Sequence, residues 1–188
     1  MPDADNRPAA LPGTDGPAGT PARAGGLWQG SGLWLPLAVI LLDQATKAIV
    51  RLSVPLHASR TVVPGFLDIT HVQNTGAAFG LLNAVDFPFK STLIALVAAA
   101  ALAGIAVYAA RLSPHQRVAR VGMALVIGGA AGNLIDRLTI GPVIDFVDAY
   151  WGAYHFWAFN VADSAITTGV GLLMLDMLGL GSHAPKTA

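Results

Sequence analysis

Eleven aspartates and no glutamate make up the whole acidic complement of this 188-residue chain, so any carboxylate chemistry must be done by Asp. Most of the polar landmarks that could do chemistry lie at the ends of apolar stretches. Asp43 and Lys47 are four residues apart, and Asn133, Asp136 and Arg137 form a second group. Asp145 follows shortly after, Asn160 and Asp163 are three apart, and Asn74 stands alone in a β-rich region. On a helix, positions three or four apart share a face, so Asn133 joins Arg137, and Asn160 joins Asp163. Asp145 and Asp163 flank one short segment, which lets their carboxylates meet if the segment folds back on itself. Two aspartates brought together cannot both ionise easily, and the pair shares a proton over a wide pH range. The ionised member can take a proton from water while the neutral member donates to a carbonyl under attack. That chemistry is hydrolysis without a metal or a covalent intermediate.

Other chemistries find less support. There is no cysteine, which removes disulfides, thiolate metal sites and a cysteine nucleophile together. The five histidines form no H-E-x-x-H, and the G-G-A-A-G run at 128–132 lacks the Lys-Ser/Thr of a phosphate loop. Ser164 has no evident base beside it. No metal or cofactor is expected. Net charge is zero, so no basic surface points to nucleic acid.

The elements that must position these residues are membrane helices. Hydrophobic residues make up 54% of the chain and charged ones 12%, with a mean hydropathy of +0.57. A soluble domain carries about twice that share of charge. Four stretches, about 33–50, 91–110, 118–138 and 158–180, approach the roughly 20 residues needed to span a bilayer. Arg111, Arg117 and Arg120 crowd the short loop between the second and third, which marks it as cytoplasmic. Both termini then lie in the cytoplasm, and the segments at about 51–90 and 139–157 face outward. With that topology the polar groups named above gather at the outer ends of the spans. Ionisable groups in membrane helices are costly unless paired or facing a cavity, which makes them candidates for function. A relay for transport through Asp43, Lys47, Asp136 and Asp163 would instead spread polar groups through the full membrane thickness. A subunit using them only to join helices would leave the segments around Asp145 and Asp163 without a purpose.

The expected fold is an all-α integral membrane protein of four transmembrane helices with a small extracytoplasmic β-sheet and a short second outer loop. The sheet is expected from Thr61–Val63 and Leu67–Val72, which are β-rich and separated by Pro64 and Gly65. The second outer segment carries Tyr150, Trp151, Tyr154, His155, Phe156 and Trp157, aromatics suited to the headgroup level. Residues 1–30, rich in Pro, Gly and Ala, are expected to be a disordered cytoplasmic tail without the apolar core of a signal peptide. Residues 31–182 would form the membrane domain, and 183–188 a C-terminal tail. Gly128 and Gly132 are spaced for close helix approach.

Five blocks in order resemble the lipoprotein signal peptidase (signal peptidase II) family: D-Q-A-T-K at 43–47, N-T-G-A-A-F at 74–79, G-G-A-A-G-N-L-I-D-R at 128–137, V-I-D-F at 143–146 and F-N-V-A-D-S at 159–164. The resemblance implies an aspartic endopeptidase of the bacterial cytoplasmic (inner) membrane. Its substrates would be diacylglyceryl-modified prolipoproteins, cut just before the lipidated cysteine, with membrane lipid as surroundings. Asp145 and Asp163 would be the catalytic pair. Asn74, Asn133, Arg137 and Asn160 would line the site and hold the substrate or the pair. Asp43 and Lys47, an i,i+4 ion pair by spacing, match a block with a mainly structural role. The resemblance also favours Asp145 over Asp148, and implies a periplasmic helix that we match to the aromatic second segment. Two departures stand out: Ile144 where many relatives have Val, and a tail longer than the family core requires. A monomer is expected.

Overall fold

A computed structural model of the protein describes residues 30–76 and 87–179. Of the tails expected at 1–30 and 183–188, all but Gly30 lie outside the described residues, as do the end of the membrane domain from Leu180 and the end of the N-T-G-A-A-F block from Ala77.

After a 3-10 turn at Gly30–Leu33 comes helix α1, Trp34–Ser53. Its buried stripe is Pro36, Val39, Asp43, Lys47 and Val50, spaced three or four apart as one helical face must be. The opposite side carries exposed Leu37, Leu41, Leu42, Ile49 and Leu52. A soluble helix shows the reverse arrangement, with charges outside and leucines inside. The helix stops at Val54, which is extended at φ −123° because Pro55 follows and disfavours helical geometry before it.

Strands β1 (Ser59–Val63) and β2 (Leu67–Asn74) form the expected hairpin, with Gly65 at φ +79° in the turn. Helix α2 (Lys90–Ala110) and helix α3 (Arg117–Thr139) are each long and apolar enough to cross a membrane. Strand β3 (Val143–Trp151), strand β4 (Tyr154–His155) and helix α4 (Val161–Met177) follow among the described residues. The four strands make one antiparallel sheet in sequence order.

Helix α3 is central, packed against α1, α2 and α4. Glycines make that possible. A Cβ at Gly128 would lie 2.8 Å from the Val39 side chain of α1, and one at Gly129 would run into the Ala162 carbonyl of α4. A Cβ at Gly132 would lie 2.6 Å from the Asp43 carboxylate. The glycine run is therefore a contact surface between three helices, as its spacing suggested. Ala109 of α2 packs with Ala124 and Ile127 of α3. Val50 and Val54, at the end of α1, pack with Phe146 of β3, which seats the sheet on that end of the helices.

The segment between α3 and α4 differs from the expected helix or loop, because Tyr150–Trp151 pairs with Tyr154–His155 as an antiparallel hairpin. Gly152, at φ +60°, opens the two-residue turn. The run of β-branched and aromatic residues from Val143 to Val147 favours a strand and extends the first hairpin by pairing with β2. The exposed aromatics Trp151, Tyr154 and Trp157 lie at and just beyond this hairpin.

Candidate active site

Helix α4 begins at Asn160, and its first turn sets the site. The Asn160 side-chain oxygen accepts from the Asp163 backbone N–H at 2.9 Å, while Asp163 Oδ2 accepts from the Asn160 N–H at 3.2 Å. This reciprocal cap satisfies two of the amide groups that a helix start leaves open. It also fixes two side chains. With its oxygen committed, the Asn160 amide nitrogen must point away from the helix, and it donates to Asp145 Oδ1 at 2.7 Å. With Oδ2 committed, Asp163 presents Oδ1, which accepts from Asn133 Nδ2 at 2.8 Å. Asp163 thus serves both as a capping residue and as a member of the polar cluster.

Asp145 arrives from β3. The β2–β3 register sets Asn74 opposite Val143 and Val72 opposite Asp145, so Asn74 and Asp145 are diagonal neighbours on one face. Asn74 Nδ2 donates to Asp145 Oδ2 at 3.1 Å. Each oxygen of the Asp145 carboxylate therefore accepts from a neutral amide. Burial pushes the Asp145 carboxyl up to about 6, and the negative charge of Asp163 pushes the same way. The donors Asn74 and Asn160, and the Lys47 ammonium, oppose the rise without cancelling it. A carboxyl in that range holds or releases a proton near neutral pH, as a general acid or base must.

Asp148 stands three residues further along β3, an odd separation that turns it to the other face. It pairs there with His155 Nδ1 at 2.9 Å, away from the cluster. Asn133 Oδ1 accepts from Asn160 Nδ2 at 3.2 Å, which links the two asparagines. Arg137 Nη1 donates to the Asn133 carbonyl at 3.2 Å, and Nη2 donates to the Gly76 carbonyl at 3.2 Å. The guanidinium therefore holds the chain leaving Asn74 beside the cluster. Ser164 Oγ donates to the Asn160 carbonyl, so its hydroxyl is engaged with backbone.

The Asp43–Lys47 pair is present at 2.8 Å, but it belongs to something larger. Lys47 Nζ also contacts Asp136 Oδ2 at 2.8 Å and donates to Asn133 Oδ1 at 2.9 Å. Gln44 Nε2 donates to Asp136 Oδ1 at 3.0 Å and contacts Asp43 Oδ2 at 3.2 Å. Sequence reasoning named Asp43, Lys47, Asn74, Asn133, Arg137, Asp145, Asn160 and Asp163, and the structure brings all eight into one connected cluster. It grouped Asp136 with Asn133 and Arg137 without giving it a site role, and it did not single out Gln44. The signal for Asp136 was its i,i+3 spacing from Asn133, which puts both on one helical face; Gln44 carried none.

The chain as a whole is similar to known proteins. A family model described as signal peptidase (SPase) II matches residues 35–179. A lipoprotein signal peptidase of Geobacter metallireducens is 47% identical over 139 residues, covering 74% of this chain and 85% of that protein. One from Symbiobacterium thermophilum is 42% identical over 144 residues, covering 77% and 91% respectively. A solved structure described as a bacterial membrane enzyme superposes with a TM-score of 0.74 at 31% identity, covering 87% of this chain and 96% of that one.

Proposed function

The chain belongs to the signal peptidase II family, and from that premise we propose that Asp145 and Asp163 are its catalytic pair. The protein is an aspartic protease that removes signal peptides from prolipoproteins. The observation that carries the assignment of the pair is Asn160, whose amide nitrogen binds Asp145 while its backbone N–H binds Asp163. One residue thereby ties together carboxylates from a strand and a helix.

In the reaction, one carboxylate takes a proton from the attacking water and the other, protonated, donates to the scissile carbonyl. The protonated and ionised roles then exchange as the amine leaves. Asn74, Asn133 and Asn160 hold the carboxylates by donating to their oxygens, which favours the ionised forms. Arg137 keeps the segment after Asn74 close to the pair and helps position the substrate at the headgroup region. The substrate is a prolipoprotein whose cysteine already carries diacylglycerol, cut just before that cysteine, with its lipid chains in the outer leaflet.

We place all four helices across the bacterial cytoplasmic membrane, both termini in the cytoplasm and the pair near the outer face. The inverted surface of α1, with leucines outward and Asp43 and Lys47 inward, supports its reading as a span. The arginines of the α2–α3 connection lie at the end of α3 opposite Asn133 and Asp136, which supports the orientation. The exposed aromatics at the β3–β4 hairpin suit the outer headgroup level. The working unit is a monomer.

The test is cleavage of a diacylglyceryl-modified prolipoprotein by purified enzyme in detergent with a chelator present. Wild type should cleave, and folded Asp145→Asn and Asp163→Asn should not. Cleavage surviving either substitution removes that aspartate from the mechanism.

A further inference from the structure

We propose that Lys47 is the positioning residue of the catalytic pair, a buried ammonium that gathers both aspartate-bearing segments to one point with Asp43 and Asp136 as its arms. The inference rests on the assignment of Asp145 and Asp163 made above.

Lys47 is 2% exposed, and its ammonium has three protons to give. Three acceptors surround it: Asp43 Oδ2, Asp136 Oδ2 and Asn133 Oδ1, at 2.8, 2.8 and 2.9 Å. The two carboxylates then reach outward. Asp43 Oδ1 accepts from the Ala162 backbone N–H at 3.0 Å, and Asp136 Oδ2 accepts from the Ile144 backbone N–H at 3.2 Å. Ala162 immediately precedes Asp163, and Ile144 immediately precedes Asp145. The peptide group one residue before each catalytic aspartate is therefore held by a carboxylate of the same ion cluster.

The third contact acts on a side chain. Asn133 Oδ1 accepts from both Lys47 and Asn160, so its oxygen must face inward and its nitrogen must face Asp163. Without the ammonium, half of the reason for that amide orientation is gone. Lys47 thus acts on Asp163 by two routes, through Asp43 and Ala162 and through Asn133, and on Asp145 through Asp136 and Ile144.

A purely structural ion cluster accounts for less. An intrahelical Asp43–Lys47 pair needs no third partner, and holding α1 to α3 requires no bonds to Ala162 or Ile144. Buried ion clusters are also poor stabilisers, since uncharged replacements of similar volume are often neutral or better. Here the gain is in placement of the reacting groups.

The decisive variant is uncharged throughout: Asp43→Asn, Lys47→Met and Asp136→Asn together. The new amide oxygens still accept the Ala162 and Ile144 N–H groups, with their NH2 groups turned toward Gln44, but no ammonium draws them together. We expect kcat on a diacylglyceryl-modified prolipoprotein to fall by about 100-fold, the scale of an ångström-sized misplacement, with KM unchanged. The thermal midpoint in detergent should stay within about 5 °C of wild type. A kcat within about threefold of wild type per folded molecule overturns the proposal. If the triple variant loses its fold, Asp136→Asn alone is decisive, because it leaves the Asp43–Lys47 pair balanced. That single change should cut kcat at unchanged KM, and a loss that only tracks the folded fraction overturns the proposal. Wild type and Asp163→Asn run alongside. Cleavage by Asp163→Asn defeats the assignment of the pair, whereas an inactive Asp163→Asn beside a fully active triple variant defeats only the role of Lys47.

Discussion

Replacing Asp145 with asparagine should make the protein inactive and, at neutral pH, more stable. The carboxyl is buried and sits near 6 against an ordinary value of 3.8. Its folded form binds a proton more tightly than the unfolded chain does. Stability therefore falls as pH rises from about 4 through 6, and the full penalty is present above that window. The rise of about two units corresponds to about 3 kcal/mol at pH 7.5. Asparagine removes the penalty but turns an NH2 toward either Asn74 or Asn160, each of which now donates to a carboxylate oxygen. That mismatch costs about 1–2 kcal/mol, leaving a net gain of about 1–2 kcal/mol. The pH dependence is the sharper signature. Between pH 7.5 and 5 the wild type should recover about 1.4 kcal/mol relative to the variant, closing most of the gap. Equilibrium unfolding in mixed micelles at the two pH values reads both numbers, and titrations of groups that do not interact with Asp145 cancel. A gap that is the same at both pH values, or a wild type that loses stability relative to the variant on acidification, refutes the reasoning.

Gly129→Ala should cost about 1–3 kcal/mol in thermal unfolding, because the new methyl meets the Ala162 carbonyl and forces α3 from α4. Since Ala162 precedes Asp163, cleavage should fall further than stability does. Arg137→Ala frees the chain at Gly76 and should lower processing by about 10-fold with little change in the thermal midpoint, and unchanged turnover would remove it from the site. His155→Ala breaks a half-exposed pair with Asp148 and should alter stability by less than about 0.5 kcal/mol, as measured by the same unfolding assay.

Much of the site was legible because helical and strand spacing survive in sequence. Asn160 and Asp163 share a turn, Asn133 and Arg137 share a face, and the turn at Pro64–Gly65 announced the first hairpin. The V-I-D-F block drew attention to Asp145, while the strand's alternation, visible only once β3 was placed, separated it from Asp148. What stayed hidden depends on how the helices are rotated about one another. Asp136 looked like a neighbour of Arg137 until α1 was seen to face it with Lys47. Gln44 is a polar residue in an apolar helix, and its bond to Asp136 follows from the close approach that Gly132 permits. The β3–β4 hairpin was obscured because its aromatics suit the membrane interface in any backbone conformation.

The inverted face of α1 also bears on how the protein is made. On the topology proposed above, α1 reaches the membrane well before α3 and α4 have been synthesised. During that interval Lys47 has only Asp43, one turn away on the same helix, to neutralise it. The i,i+4 pair lets the newborn helix enter lipid as a unit without net charge at that point. Asp136 then arrives with α3, and Ala162 brings its N–H with α4. Each arrival takes up a bond that the half-built protein lacks, so the ion cluster is finished only when the last span is in place. Asp145 and Asp163, the pair proposed as catalytic, thereby come together only once α4 has been made.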